Sequence, residues 1–158
     1  MPSSPAAVVF ESESEDATRA FGNRLGKLLR AGDVVLLSGE LGTGKTRLTQ
    51  GIGLGLGCPG PITSPTFVLV NEHRGREVLF HADLYRIASP SEHGTLGLWD
   101  EAECGVLVVE WPEQVESDLP KDGLIIVLTP GLDIDTRTLR LCPRGPRGRE
   151  ILASLGLT

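Results

Sequence analysis

Val34-Val35-Leu36-Leu37-Ser38-Gly39-Glu40-Leu41-Gly42-Thr43-Gly44-Lys45-Thr46 is the stretch that decides the fold. Val34 to Leu37 is an unbroken apolar run, which suits a strand covered on both faces. Gly39 to Thr46 follows as G-x-x-x-x-G-K-T. Leu48, Ile52 and Leu56 then fall on one helical face, and Gly57, Pro59 and Gly60 stop that helix. Strand, glycine turn and helix in immediate succession describe a phosphate cradle. Glycines let successive backbone amides turn inward, and the helix N-terminus adds roughly half a positive charge toward the same point. Lys45 supplies a point charge for the β- and γ-phosphates, and the Thr46 hydroxyl can coordinate Mg²⁺. A shuffled chain of this composition would yield roughly 0.006 such matches, so coincidence is a poor explanation.

Upstream, Val8 to Phe10 reads as a short strand followed by an acidic, solvated lead-in holding Glu11, Glu13, Glu15 and Asp16. From Thr18, the spacing of Phe21, Leu25, Leu28 and Leu29 predicts an amphipathic helix ending near Gly32. Downstream, Thr66 to Val70 and Val78 to Ala82 predict a hairpin with Glu72 to Arg76 at its tip. Residues 89 to 102 read as helix or loop. Val106 to Val109 is a second buried-strand run, halted by Pro112. Leu124 to Leu128 and Thr136 to Leu141 predict an antiparallel pair around the Pro130-Gly131 turn signal. The expected class is α/β, a P-loop NTPase-like mixed, largely parallel sheet flanked by helices, with residues 1–158 as one domain.

Such a cradle needs an acid on the metal side, at the carboxyl end of a neighbouring strand. Glu110 ends the most apolar candidate strand and is the first choice, with Asp83 the second carboxylate, able to orient a water. Guanine-reading N-K-x-D and D-x-x-G strings do not occur, so adenine is favoured. His73, His81 and His93 lack metal-ligand spacing, although His81 lies close to Asp83 in sequence. Trp111 is either core or a ring at the nucleotide site or a partner surface.

Composition narrows the rest. The chain has 158 residues, room for one modest core. A formal charge of -6 excludes nucleic-acid binding through bulk electrostatics. Locally, Arg137, Arg140, Arg144, Arg147 and Arg149 form a basic stretch, either a solvated surface or a contact for tRNA or an acidic partner. Cys58, Cys104 and Cys142 contain no C-x-x-C, and no leader-like segment or membrane span is legible, so a cytoplasmic protein is expected.

Gly39 to Thr46, Thr63-Ser64-Pro65-Thr66-Phe67, His81-Ala82-Asp83-Leu84-Tyr85-Arg86 and Val109-Glu110-Trp111-Pro112-Glu113 together resemble the TsaE (YjeE) family, in order and spacing. The helix ahead of the glycine turn and Arg144-Gly145-Pro146-Arg147-Gly148 are also similar to it. The resemblance implies ATP or ADP held with Mg²⁺ by Gly39, Glu40, Leu41, Gly42, Thr43, Gly44, Lys45 and Thr46. It implies that Glu110 is the metal-side acid, that Asp83 and Trp111 are required for activity, and that Ser64, Pro65 and Thr66 form a loop sensing the γ-phosphate. Thr18 matches a threonine near the nucleotide. The implied activity is ATP hydrolysis supporting TsaD and TsaB in modifying the tRNA adenosine 3′ of the anticodon, with tRNA met through the complex and direct contact left open. A small-molecule P-loop kinase and a nucleotide-dependent switch module are the competing readings.

Overall fold

The apolar runs become strands, and their spatial order differs from their order along the chain. In a computed structural model, residues 7–40, 42–62, 70–84, 99–112 and 119–157 are described. The strands are β1 (Val8–Ser12), β2 (Val34–Ser38), β3 (Val70–Arg74), β4 (Val78–Asp83), β5 (Val106–Glu110), β6 (Gly123–Pro130) and β7 (Arg137–Arg144). The helices are α1 (Glu15–Leu28), α2 (Lys45–Gly55) and α3 (Gly145–Ser154). All seven strands form one sheet in the order β1-β7-β6-β2-β5-β4-β3.

Its centre is parallel: β2 pairs with β6 on one side and β5 on the other, and β5 pairs with β4. The margins are antiparallel, β7 against β6 and β1, and β3 against β4. Only β3 and β7 therefore run against the common direction, which agrees with the mixed, largely parallel sheet expected. Every residue of β5 and all but the last of β2 are buried, as two-sided cover requires.

Two cores follow from strand alternation. Val35, Leu37, Val106, Val108, Ile126 and Leu128 face Phe21 and Leu25 of α1, Leu48 and Ile52 of α2, and Ile151 of α3. Val34, Leu36, Phe80, Leu107 and Val109 face the opposite side, against Trp99 and Leu119.

Local boundaries moved. Ser14, whose hydroxyl accepts from the Ala17 amide, caps α1, so the helix begins at Glu15 and takes up Glu15 and Asp16 of the acidic lead-in. Short polar caps carry little periodicity, which hid this start. In the hairpin, Glu72 to Arg74 belong to β3 and the turn lies at residues 75 to 77, while residues 66–69 lie outside the described residues. The basic stretch divides between β7, which holds Arg137, Arg140 and Arg144, and α3, which holds Arg147 and Arg149. Arg147, on its first turn, meets buried Asp33 with Nε to Oδ1 at 2.8 Å and Nη2 to Oδ2 at 2.9 Å, and Nη2 also reaches the Leu28 carbonyl at 2.9 Å. Hydrogen bonding to Asp33 raises the Arg147 pKa above its ordinary value. This bidentate pair clamps α3 to the start of β2 and the end of α1. The basic stretch is thus divided between structural and site-facing roles.

The glycines of α2 reverse another expectation. Gly51, Gly53 and Gly55 imply a helix that frays late, at up to about 1 kcal/mol each relative to Ala. Instead α2 remains regular through Gly55. A Cβ on Gly51 would stand 2.1 Å from the Arg19 carbonyl oxygen, and one on Gly55 would stand 2.3 Å from that of Asn23. On α1, Gly22 and Gly26 would reach the Leu48 and Ile52 oxygens at 2.5 and 2.3 Å. The two helices pack backbone to backbone. Gly51→Ala should therefore destabilise the protein by about 1–3 kcal/mol, because overpacking outweighs the helix-propensity gain. Urea unfolding checks this: an unchanged or higher midpoint at constant m value would contradict the close-packed interface.

Candidate functional site

Register sets the site. Leu37 lies opposite Glu110, and Asp83 lies opposite Glu110 on the other side. The Glu110 carbonyl accepts from the Leu84 amide at 3.0 Å, and the Trp111 amide donates to the Leu37 carbonyl at 3.1 Å. Three parallel strands thus end together beside the glycine turn.

Within that turn, Gly42 and Gly44 have φ of +80° and +98°, the left-handed region that suits glycine. Gly44 is the N-cap of α2 and provides no side-chain cap, leaving the helix N-terminus available to an anion. Lys45 Nζ donates to the Gly39 carbonyl and lies 3.6 Å from the centroid of the Trp111 ring. Trp111 has φ of +61°, unusual for a bulky residue, and the Pro after it narrows its alternatives further. The bent end of β5 turns the indole over the lysine.

A pocket of about 490 Å³ gathers these groups. Gly42, Gly44, Lys45 and Thr46 come from the turn, Asp83 and Glu110 from the strand ends, and Thr18 and Trp111 from the two remaining predicted segments. Gly39, Glu40 and Thr43 instead line a smaller cavity of about 250 Å³ behind the turn, which shares Trp111. The Thr43 hydroxyl donates to the Glu40 carbonyl at 2.7 Å and so ties the turn internally. Thr18 is buried and its hydroxyl is shared with Ser12 at 2.7 Å, joining α1 to β1 at the pocket edge. Leu41 and Thr66, like Ser64 and Pro65, lie outside the described residues.

Four pocket residues escaped the sequence reading: Glu15, Arg47, Asp135 and Arg137. Arg137 Nε donates to the Thr43 carbonyl at 3.1 Å and Nη2 to that of Gly42 at 3.0 Å, while Nη1 holds the Ile134 carbonyl at 2.7 Å. Its place at the end of a basic stretch pointed outward rather than to a turn more than ninety residues earlier. No spacing signal links the two.

Other titratable groups sit apart. Burial lowers the His73 pKa, and neighbouring His81 lowers it further. Burial raises that of Cys58, whose thiol donates to the His73 carbonyl at 3.7 Å. His93 lies outside the described residues. Among the described residues no three His, Cys, Asp or Glu side chains converge as a metal cluster. Thr46, Asp83 and Glu110 nevertheless border one pocket, an oxygen donor set suited to Mg²⁺ completed by phosphate oxygens and water. No helix among the described residues is long and apolar enough to cross a membrane.

Fold and site define a class: a mixed α/β protein whose strand, glycine turn and helix face two carboxylates at neighbouring strand ends. The family model for threonylcarbamoyl adenosine biosynthesis protein TsaE matches residues 12–138, and the chain belongs to that family. It is 48% identical over 110 residues to the tRNA threonylcarbamoyladenosine biosynthesis protein TsaE of Streptomyces coelicolor, covering 67% of this chain and 74% of that one. The Nostoc TsaE is 42% identical over 141 residues, 85% of each chain. The crystal structure of Bacillus subtilis YdiB is similar with a TM-score of 0.81 at 31% identity, covering 99% of this chain and 97% of that one.

Arg137→Ala should loosen the turn while leaving the sheet intact, because two carbonyls of the turn lose a charged donor. Amide exchange of residues 42–44 should accelerate about tenfold, with the β2 and β5 amides unaffected. Equal protection in both proteins would show that the turn holds its shape without the guanidinium.

Proposed function

We propose that this chain binds ATP and ADP with Mg²⁺ in the pocket beside Lys45 and hydrolyses ATP in support of tRNA threonylcarbamoylation. The observation that carries the reading is the meeting of Lys45, Thr46, Asp83 and Glu110 in one pocket although they come from three separate segments. Family membership supplies the pathway, tRNA threonylcarbamoyladenosine biosynthesis. TsaD and TsaB are the proposed partners, with tRNA reached through their complex.

The inward amides of the turn and the N-terminus of α2 bind the phosphates, and the Lys45 ammonium offsets their charge. Thr46 and Glu110 would hold Mg²⁺, which supplies further charge neutralisation to the phosphate oxygens when bound. Asp83, set opposite Glu110, orients the attacking water by accepting its hydrogen bond. The Trp111 ring keeps Lys45 turned to the pocket wall and excludes water from one side of the ammonium. The missing guanine-reading strings favour adenine.

Lys45→Ala should lower phosphate release by about 10² or more and weaken nucleotide binding. Phosphate release measured alone, with TsaD and TsaB, and with candidate phosphate acceptors tests the reaction class. Stimulation by the protein pair supports the proposal, and transfer to a small acceptor would make the chain a kinase instead.

The two carboxylates should separate by phenotype. Glu110→Gln should abolish the Mg²⁺ dependence of nucleotide affinity, because a neutral amide removes the charge that balances the ion. Asp83→Asn should leave MgATP affinity nearly intact while hydrolysis falls by about 10² or more. Exchanged phenotypes would reverse the assignment.

A further inference from the structure

We infer that His81 is the positioning residue for Glu110: it holds one carboxylate oxygen so that the other is presented to the metal side of the pocket. The inference rests on the proposed role of Glu110 as the metal-side acid.

His81 is fully buried on β4, on the face it shares with Leu79 and Asp83. Leu79 belongs to the apolar core there, with Val106 and Val108 of the adjacent strand. An imidazole in that company is costly unless it is hydrogen-bonded, and an aliphatic side chain would serve the sheet better. Its Nε2 lies 2.5 Å from Glu110 Oε2. Its Nδ1 is buried without a hydrogen-bond partner among the described residues. Among the described residues, the ring's hydrogen bonding is therefore directed at Glu110.

The arrangement also places the proton. A carboxylate only accepts, so the contact is made by Nε2–H, and the tautomer that carries it has Nδ1 as its acceptor. Oε2 is thus engaged within the sheet, while Glu110 borders the pocket. A carboxylate so tethered loses rotational freedom about its terminal torsion, and supporting bonds of this kind typically govern metal affinity by 10–100-fold. Strand alternation explains why the device sits two residues before Asp83: the same face of β4 carries the tether and the second carboxylate.

Affinity for a fluorescent ATP analogue, measured in EDTA and in Mg²⁺, tests this in wild type, His81→Leu and His81→Gln. The gain on adding Mg²⁺ should fall about tenfold or more in His81→Leu, each variant being referred to its own EDTA value. His81→Gln should recover most of it, because its amide N–H reaches toward the same oxygen. A full Mg²⁺ gain in His81→Leu would overturn the inference. No Mg²⁺ gain in the wild type would overturn the reading of Glu110, and this inference with it.

Nitrogen NMR of the imidazole in nucleotide-free and metal-free protein provides a readout independent of the variant's folding. The expected signature is a protonated Nε2 and a bare Nδ1, altered in Glu110→Gln. Identical His81 signals in wild type and Glu110→Gln would overturn the contact on which the inference stands.

Discussion

The parallel ladder that joins β2, β5 and β4 is the constraint from which the rest of the molecule follows. Its bonds place Leu37, Glu110 and Asp83 level with one another, so the glycine turn leaving β2 meets carboxylates from two other segments. Parallel strands offer this and hairpins do not, because their carboxyl ends all emerge on one edge. The edge is also rigid. Glu110 is gripped through its backbone by Leu84 and, one residue on, through Trp111 by Leu37. Side chains that border the pocket therefore start from strand ends with little freedom of their own.

Around that edge the helices act as a frame. The glycines of α1 and α2 let two backbones touch, which draws Thr18 and Glu15 at the start of α1 to the same pocket as Lys45 and Thr46 at the start of α2. Arg47 of α2 lies 3.6 Å from Glu15, a contact at the rim of the same opening. Exposure of this pair keeps its energetic contribution small, so packing rather than charge fixes the angle between the helices. Arg147 performs the corresponding task for α3 through Asp33, where burial and bidentate geometry make the contact strong.

Two side chains placed by long-range contacts complete the turn. Arg137 comes from the far strand β7 and holds the carbonyls of Gly42 and Thr43. Trp111, bent out of β5 at positive φ, covers Lys45. Neither residue is part of the glycine motif, yet each borders the pocket that the motif forms. The motif is best regarded as one wall of a site whose other walls arrive from elsewhere in the sheet.

What the sequence by itself determined were the features with local causes. The glycine turn, the apolar runs of β2 and β5, and the helical face of Leu48 and Ile52 are written in adjacent residues, so periodicity and a motif suffice to read them. Glu110 and Asp83 were legible for a related reason: each ends an apolar run, and chemistry at strand ends has few alternatives. Only the tertiary structure decided the remainder. The value of Gly22, Gly26, Gly51 and Gly55 depends on the helix opposite, and a helix propensity reads them as weakness. Arg137 and Arg147 look alike as surface charges until folding takes one to the turn and the other to Asp33. His81 and Glu110 lie 29 residues apart, and only β4 and β5 pairing in parallel brings the imidazole to the carboxylate. Local patterning records what a residue prefers, whereas its partner across the sheet is set by register, which no short stretch encodes.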